Sequence, residues 1–223
     1  MLGHYLFCLG FLAGLSLLTV TAYRHISPLW FRTLLAGATG SLITGRYALL
    51  ALVMMTDMPP PLAALRCVWF GASAVFLFSS TVAVDQLIRH PAMSSKKLLV
   101  WLSPFLLVYG AALLVAPGTP VRMEAPLGWW LRLSPAWQAL LSVTQGVFVI
   151  AFVGTVLLLI RKIPVWRIRL ALLNLGMTQL CLGLGVFMIL QTPTFLGYLL
   201  LAEMLALFVL WYAYETGAAL QGG

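Results

Sequence analysis

The chain has 223 residues, of which 62% are hydrophobic and only 8% are charged. Soluble domains carry about 25% charged residues, so this composition has too little polar surface for a water-soluble globule and excludes a soluble enzyme. The net charge of +8 would suggest nucleic acid binding in a soluble protein, but no basic run is interleaved with aromatic residues, and we interpret the charge as membrane topology. We therefore predict an integral membrane protein in contact with the lipid bilayer, and no nucleic acid partner.

Seven apolar stretches are each long enough to cross a bilayer core of about 30 Å, which requires about 20 residues of helix. Prolines mark the boundaries between them, because proline removes a helical N–H and disfavours helix in the residue before it. No run alternates apolar and polar residues, so a β-barrel is not expected. The predicted spans, in chain order, are residues 4–23, 29–56, 62–88, 97–116, 136–160, 166–191 and 194–214. We predict one all-α domain over residues 1–223, a seven-helix transmembrane bundle.

Basic residues are distributed unequally between alternate loops. The first, third and fifth loops hold nine Lys and Arg residues, against three on the opposite side. By the positive-inside rule, the N-terminus is expected outside and the C-terminus in the cytoplasm. The predicted location is a cell membrane, in a bacterium the inner membrane.

Small residues form two stripes in the first two spans. Gly10 and Gly14 are four residues apart, and Gly37, Ser41 and Gly45 repeat at the same spacing. Such stripes let helix backbones approach closely. We expect packing inside the bundle, with dimerisation as the alternative.

A polar stripe runs along the sixth span, where Asn174 and Thr178 share a helix face, and Gln145 lies in the fifth span. Unpaired amides are costly in lipid, so these side chains are expected to point into the bundle. They either line a ligand cavity or hydrogen-bond to neighbouring helices.

Motifs for catalysis and for cofactor binding were not found. The histidines at positions 4, 25 and 90 include no pair inside the membrane core that could hold a haem, and the cysteines at positions 8, 67 and 181 lie singly in apolar stretches. The seventh span has no lysine for a retinal Schiff base. We expect no catalytic residues, no metal and no cofactor, although an enzyme acting on lipid stays open as a minor alternative.

The longest connection, residues 117–135, contains a strongly apolar segment that includes Trp129 and Trp130. With no soluble domain to bury them, these rings are expected to lie along the membrane surface while Arg132 stays with the head groups. This outer loop is a candidate lid over the mouth of the bundle.

Two charges lie deep within the predicted spans. Arg46 and Glu203 are each about nine or ten residues from the outer end of their spans, which corresponds to a depth of roughly 13 to 15 Å. A single charge at such depth costs on the order of 3 kcal/mol, so we predict that the two form an ion pair. It is either a structural clasp or a ligand anchor. Two further acidic side chains are assigned near the membrane surfaces, Asp85 in a helix-end pair with Arg89, and Glu124 in solvent.

The overall pattern resembles the seven-helix N-terminal sensor region of bacterial histidine kinases. The resemblance covers nearly the whole chain and depends on positions rather than on a chemical motif: the segment 85–91, the Ser103-Pro104-Phe105 interruption and the basic pair at 167 and 169. It implies a sensor that signals to a cytoplasmic kinase or cyclase. Because these 223 residues contain no phosphoacceptor helix or ATP-binding domain, the resemblance implies a fragment or a stand-alone relative.

The leading functional hypothesis is a sensory or regulatory module that binds a small apolar or lipid-like ligand from outside and signals to a cytoplasmic partner. The first alternative is a small transporter or channel lined by the polar residues above. The second is a structural subunit whose small-residue faces contact other membrane subunits.

Overall fold

The structure is a computed structural model that describes residues 2–26, 28–55, 59–88, 95–123, 129–191 and 193–219. Within these ranges, seven helices are long and apolar enough to cross a membrane: α1 (Gly3–His25), α2 (Leu29–Met54), α3 (Leu62–Ile88), α4 (Lys97–Val115), α5 (Pro135–Lys162), α6 (Trp166–Gln191) and α7 (Leu196–Ala219). The predicted number of spans is confirmed, and the boundaries agree within a few residues. The direction in which the helices cross a bilayer stays a prediction.

The third helix is the centre of the bundle. In its most apolar window 89% of the residues are buried, whereas the other six helices range from 22% to 56%. Helix α3 contacts α2, α4, α6 and α7, and the remaining helices pack around it, with α1 against α2 and α7, and α5 against α4 and α6. The outer surface carries large exposed apolar side chains such as Phe7, Leu107 and Ile150, as expected for a surface that contacts lipid.

A short β-hairpin follows α4, where the sequence analysis predicted no strands. Strands β1 (Gly118–Arg122) and β2 (Trp129–Leu133) pair antiparallel, with Gly118 opposite Leu133. A Cβ on Gly118 would lie 2.8 Å from Leu131 Cδ1 and 2.9 Å from the carbonyl oxygen of Arg132, so only glycine fits this approach. Strands of five residues are too short to show a clear alternation in the sequence.

Arg66, near the start of α3, holds the end of α4, directly before the hairpin. Its guanidinium donates from Nε to the carbonyl of Ala116 at 2.9 Å and from Nη1 to the carbonyl of Leu114 at 2.7 Å. These carbonyls belong to the end of α4, where helical partners run out. The hairpin therefore starts from a position fixed by α3.

Two π-helical segments interrupt the α-helical winding of α2 and α3. They span Thr39–Thr44 and Cys67–Gly71, and they pack together, with a Cβ on Gly71 falling 3.1 Å from Leu42 Cδ2. A π turn contains about one residue more than an α turn, so it rotates the following side chains by about 100°. In α2 the rotation comes directly before Arg46.

Four of the five small residues in the two stripes, all but Gly45, are exposed, so for them the expectation of packing inside the bundle is wrong. Gly10, Gly14 and Gly37 are exposed, and a Cβ on any of them would meet nothing within 4 Å. Close packing occurs instead in α6, where a Cβ on Gly183 would lie 2.6 Å from Val149 Cγ2. Gly183 is not part of such a four-residue repeat, so the spacing of small residues did not identify the glycine that packs closely.

Candidate functional site

The predicted ion pair is present in the interior of the bundle. Arg46 donates from Nη1 to Oε1 of Glu203, which joins α2 to α7. The two side chains are only 1% and 2% exposed. The neighbouring Tyr47 donates its hydroxyl to Oε2 of Glu203 at 3.1 Å, so both carboxylate oxygens have a donor. Charge-assisted hydrogen bonds of this kind offset part of the cost of burying the two charges.

The groups around the pair include more donors than acceptors. Arg46 Nε and Nη2, Trp69 Nε1 and the Tyr5 hydroxyl are buried and have no hydrogen-bond partner among the described residues. The guanidinium carbon of Arg46 lies 6.0 Å from the ring centroid of Trp69, at the limit of a cation–π contact. This set of buried donors can satisfy an additional acceptor, such as a water molecule or an anionic group.

Two small interior cavities connect this charge centre to the hairpin. The deeper cavity, of ≈10 Å³, is lined by Glu203 and Gln145 among others. The other, of ≈20 Å³, is lined by Trp69, by Trp130 of the hairpin and by their neighbours. Ser73 lines both cavities. Each has room for about one water molecule, so they do not form an open conduit.

The polar residues predicted in α5 and α6 have different environments. Gln145 is buried and its Oε1 accepts a hydrogen bond from the Tyr109 hydroxyl at 2.5 Å. Thr178 is also buried, but its Oγ1 has no partner in the described ranges. Asn174 is half-buried. Of these three, only Gln145 shares a cavity with Glu203.

A second polar cluster lies deeper along the bundle, towards the predicted cytoplasmic end. The Tyr23 hydroxyl lies 2.8 Å from Ser79 Oγ and 3.1 Å from Thr39 Oγ1. Tyr214 donates its hydroxyl to the carbonyl of Ser79 at 2.7 Å, and its ring meets that of Tyr23 edge-on, with centroids 4.9 Å apart. The cluster joins α1, α2, α3 and α7, and α7 also carries Glu203.

Sequence reasoning missed several of these side chains. Tyr47, Tyr109, Gln179 and the Tyr23 cluster were not singled out, because isolated Tyr, Ser and Thr residues are ordinary in apolar spans. Two of them could have been found because they directly follow predicted site residues in the sequence: Tyr47 follows Arg46, and Gln179 follows Thr178. Gln179 donates from Nε2 to Ser80 Oγ at 2.5 Å.

The hairpin forms part of the wall of a larger surface pocket of ≈670 Å³. Its wall includes Arg122 and Arg132, together with Trp130 and Leu133. The Arg132 guanidinium lies 6.0 Å from the ring centroid of Trp130. Trp129, the other predicted lid residue, is half-buried in β2. Arg89, the predicted partner of Asp85, and Glu124, which was predicted to be in solvent, lie outside the described residues.

No family model matches this sequence, and comparisons with curated proteins and with solved structures found no match. The fold itself defines the class: a predominantly helical protein that has, within the described residues, seven helices long and apolar enough to span a membrane and a charge centre in its interior.

Proposed function

We propose that this protein is a sensory module of a bacterial inner membrane, with its N-terminus outside. It binds a lipid-like ligand at the outer hairpin, and binding changes the packing of the helices read by a cytoplasmic partner. This proposal agrees with the resemblance to histidine kinase sensor regions.

One observation supports the proposal above the others: the hairpin shares a cavity wall with the bundle interior. Trp130 lines the surface pocket, and it also lines the small cavity beside Trp69 and Tyr109. Movement of the hairpin therefore changes contacts with α3 and α4 directly. Helix α7 extends the connection, since it carries Glu203 near the cavities and Tyr214 in the cluster towards the other end.

The chemistry of the surface pocket favours an anionic amphiphile. Arg122 and Arg132 supply positive charge at the rim, while Trp130, Leu133 and Leu190 supply apolar wall. Pockets of ≈670 Å³ fall within the usual size range for small ligands. A carboxylate or phosphate on an aliphatic chain satisfies both features.

Transport is less well supported by the same geometry. The interior cavities of ≈20 and ≈10 Å³ hold about one water each, whereas a solute needs a continuous path. A structural subunit stays the second candidate because the glycine face of α1 is open outward, where another helix can pack.

Distance measurements across the bundle test the proposal. The three cysteines at positions 8, 67 and 181 are free thiols, so they are replaced first, and spin labels are attached at Lys162→Cys and Ala219→Cys. In nanodiscs, laurate is expected to shift the distance between these labels, while dodecanol has less effect because it lacks the charge.

Two variants test whether a shift of the inter-label distance depends on the surface pocket. Arg132→Gln should abolish the response to laurate, and Arg161→Gln, which removes an exposed arginine outside the pocket, should not. An inter-label distance that laurate leaves unchanged would contradict the sensory proposal. Laurate uptake into proteoliposomes that depends on Arg46 would favour transport instead.

A further inference from the structure

A separate crevice lies between α3, α4 and α5, at the end of the bundle that is predicted to face the cytoplasm. Its volume is ≈330 Å³, which is enough for a small ligand. Ile88, Trp101 and Phe152 contribute apolar and aromatic surface, and Asp85, Thr81 and Thr155 contribute oxygen atoms. None of these residues takes part in the outer pocket or the charge centre.

The oxygen atoms in this wall act as acceptors. Thr81 donates its hydroxyl proton to the carbonyl of Leu77 at 2.8 Å, and Thr155 donates its own to the carbonyl of Ala151 at 2.8 Å. Each hydroxyl therefore has only lone pairs to offer a molecule in the crevice. An ionised Asp85 carboxylate also accepts and does not donate.

The negative charge of the wall favours the same kind of ligand as its hydrogen-bond acceptors do. Asp85 is half-buried and is the only charged side chain among the described residues that line the crevice. A cation in the crevice brings a compensating charge to a carboxylate that is partly removed from water. An aromatic ring such as that of Trp101 is also a favourable neighbour for a cation.

A metal ion is a poorer match than an organic cation. Among the described residues, no group of three or more His, Cys, Asp or Glu side chains is placed to hold a metal. Divalent ions such as Ca²⁺ require about six to eight oxygen ligands, with several carboxylates in typical sites. One carboxylate beside two hydroxyls and an apolar wall instead fits an ammonium group on an aliphatic chain.

We propose that the crevice between α3, α4 and α5 binds a cationic amphiphile, with a protonated amine at Asp85, Thr81 and Thr155 and its chain against Trp101, Phe152 and Ile88. The ammonium N–H groups donate to the three oxygen-bearing side chains. This site is independent of the outer pocket, which favours the opposite charge, and a failure of either proposal leaves the other intact.

Four probes with the same ten-carbon chain test the chemistry: decylamine, decyltrimethylammonium, decanol and decanoate. The full-length protein is placed in phosphatidylcholine nanodiscs, and each apparent Kd is taken from the dose dependence of the thermal unfolding midpoint. Decylamine should bind at least tenfold more tightly than decanol. Decyltrimethylammonium should bind at an intermediate level, because it has the charge but no N–H donor. Equal binding of decylamine and decanol would reduce the crevice to a groove for lipid chains and overturn the proposal.

Single substitutions test whether decylamine binds in the crevice. Asp85→Asn keeps the side-chain shape and should weaken decylamine binding at least tenfold, whereas Glu215→Gln should have no effect. Thr155→Val should weaken it severalfold, and Thr144→Val is the matched control on the same helix, because Thr144 also donates to its own helix but lies outside the crevice. If Asp85→Asn does not fold, the two threonine variants still decide the matter: equal affinity for decylamine in both would refute the site.

Discussion

Removal of the Glu203 carboxylate should strongly destabilise the protein. In Glu203→Gln, the Arg46 guanidinium keeps its charge and its buried position, but it loses its anionic partner. Its Nε and Nη2 already have no partner in the described part of the chain, so no other contact compensates. Breaking a buried pair by removing one partner typically costs about 3–5 kcal/mol.

Removal of both charges should cost much less. A double variant, Arg46→Met with Glu203→Leu, leaves no buried charge, and such replacements are often neutral or stabilising. The hydroxyl of Tyr47, however, would lose its acceptor at a cost of about 1–3 kcal/mol. A triple variant that adds Tyr47→Phe should therefore have a free energy of unfolding close to that of the wild type. The charge-swapped pair, Arg46→Glu with Glu203→Arg, should recover part of the stability that each single change loses.

The measurement is the free energy of unfolding in mixed micelles titrated with sodium dodecyl sulfate and followed by circular dichroism. The matched control is Glu215→Gln on the same helix. Glu215 pairs with Arg24 at 3.4 Å, but the two side chains are 33% and 64% exposed, and exposed pairs contribute about 0–1 kcal/mol.

Two results would refute this reasoning. One is a Glu203→Gln variant that loses no more stability than Glu215→Gln, because burial would then not determine the cost. The other is a triple apolar variant as unstable as Glu203→Gln, since the damage would then come from lost packing rather than from an unpaired charge.

Three other experiments test the geometry and the topology. Deletion of the exposed Ser41 should convert the π segment of α2 to regular α-helix and leave the direction of the Arg46 side chain unchanged, because a π turn contains about one residue more than an α turn; the yield of folded protein on size-exclusion chromatography should be retained, and a large loss of yield would contradict this. Gly183→Ala should cost about 1–3 kcal/mol because its Cβ would collide with a valine at 2.6 Å, whereas Gly154→Ala has open space and should be neutral or stabilising. In intact cells, a membrane-impermeant thiol reagent should label a cysteine at Thr119 and not one at Lys162, and the reverse pattern would invert the predicted orientation.

The ion pair shows how far local sequence information extends. Arg46 and Glu203 were matched by depth alone, because the rise of 1.5 Å per residue converts a sequence position into a distance from the helix end. That argument needs no knowledge of the neighbours. It could not identify Tyr47 as the second donor or Trp69 as the ring beside the guanidinium, since those contacts depend on the rotation of α2 and α3.

The hairpin and the glycine stripes show where this information ends. The pairing of Gly118 with Leu133 requires two five-residue segments to meet, and neither has a strong pattern of its own. Gly10 and Gly14 of α1, which have the expected spacing, are exposed, whereas Gly183 of α6, which lacks it, packs against Val149. Each outcome was decided by contacts between helices.

The sequence by itself determined the number of helices, their lengths and the depth of each charge, because the hydropathy of about 20 consecutive residues is a local property of the chain. The tertiary structure decided which face of each helix points inward. These helices are apolar on nearly every side, so no strong stripe distinguishes a core face from a lipid face. Their rotations follow instead from close packing, from the two π segments and from the few polar groups that must find partners inside the bundle.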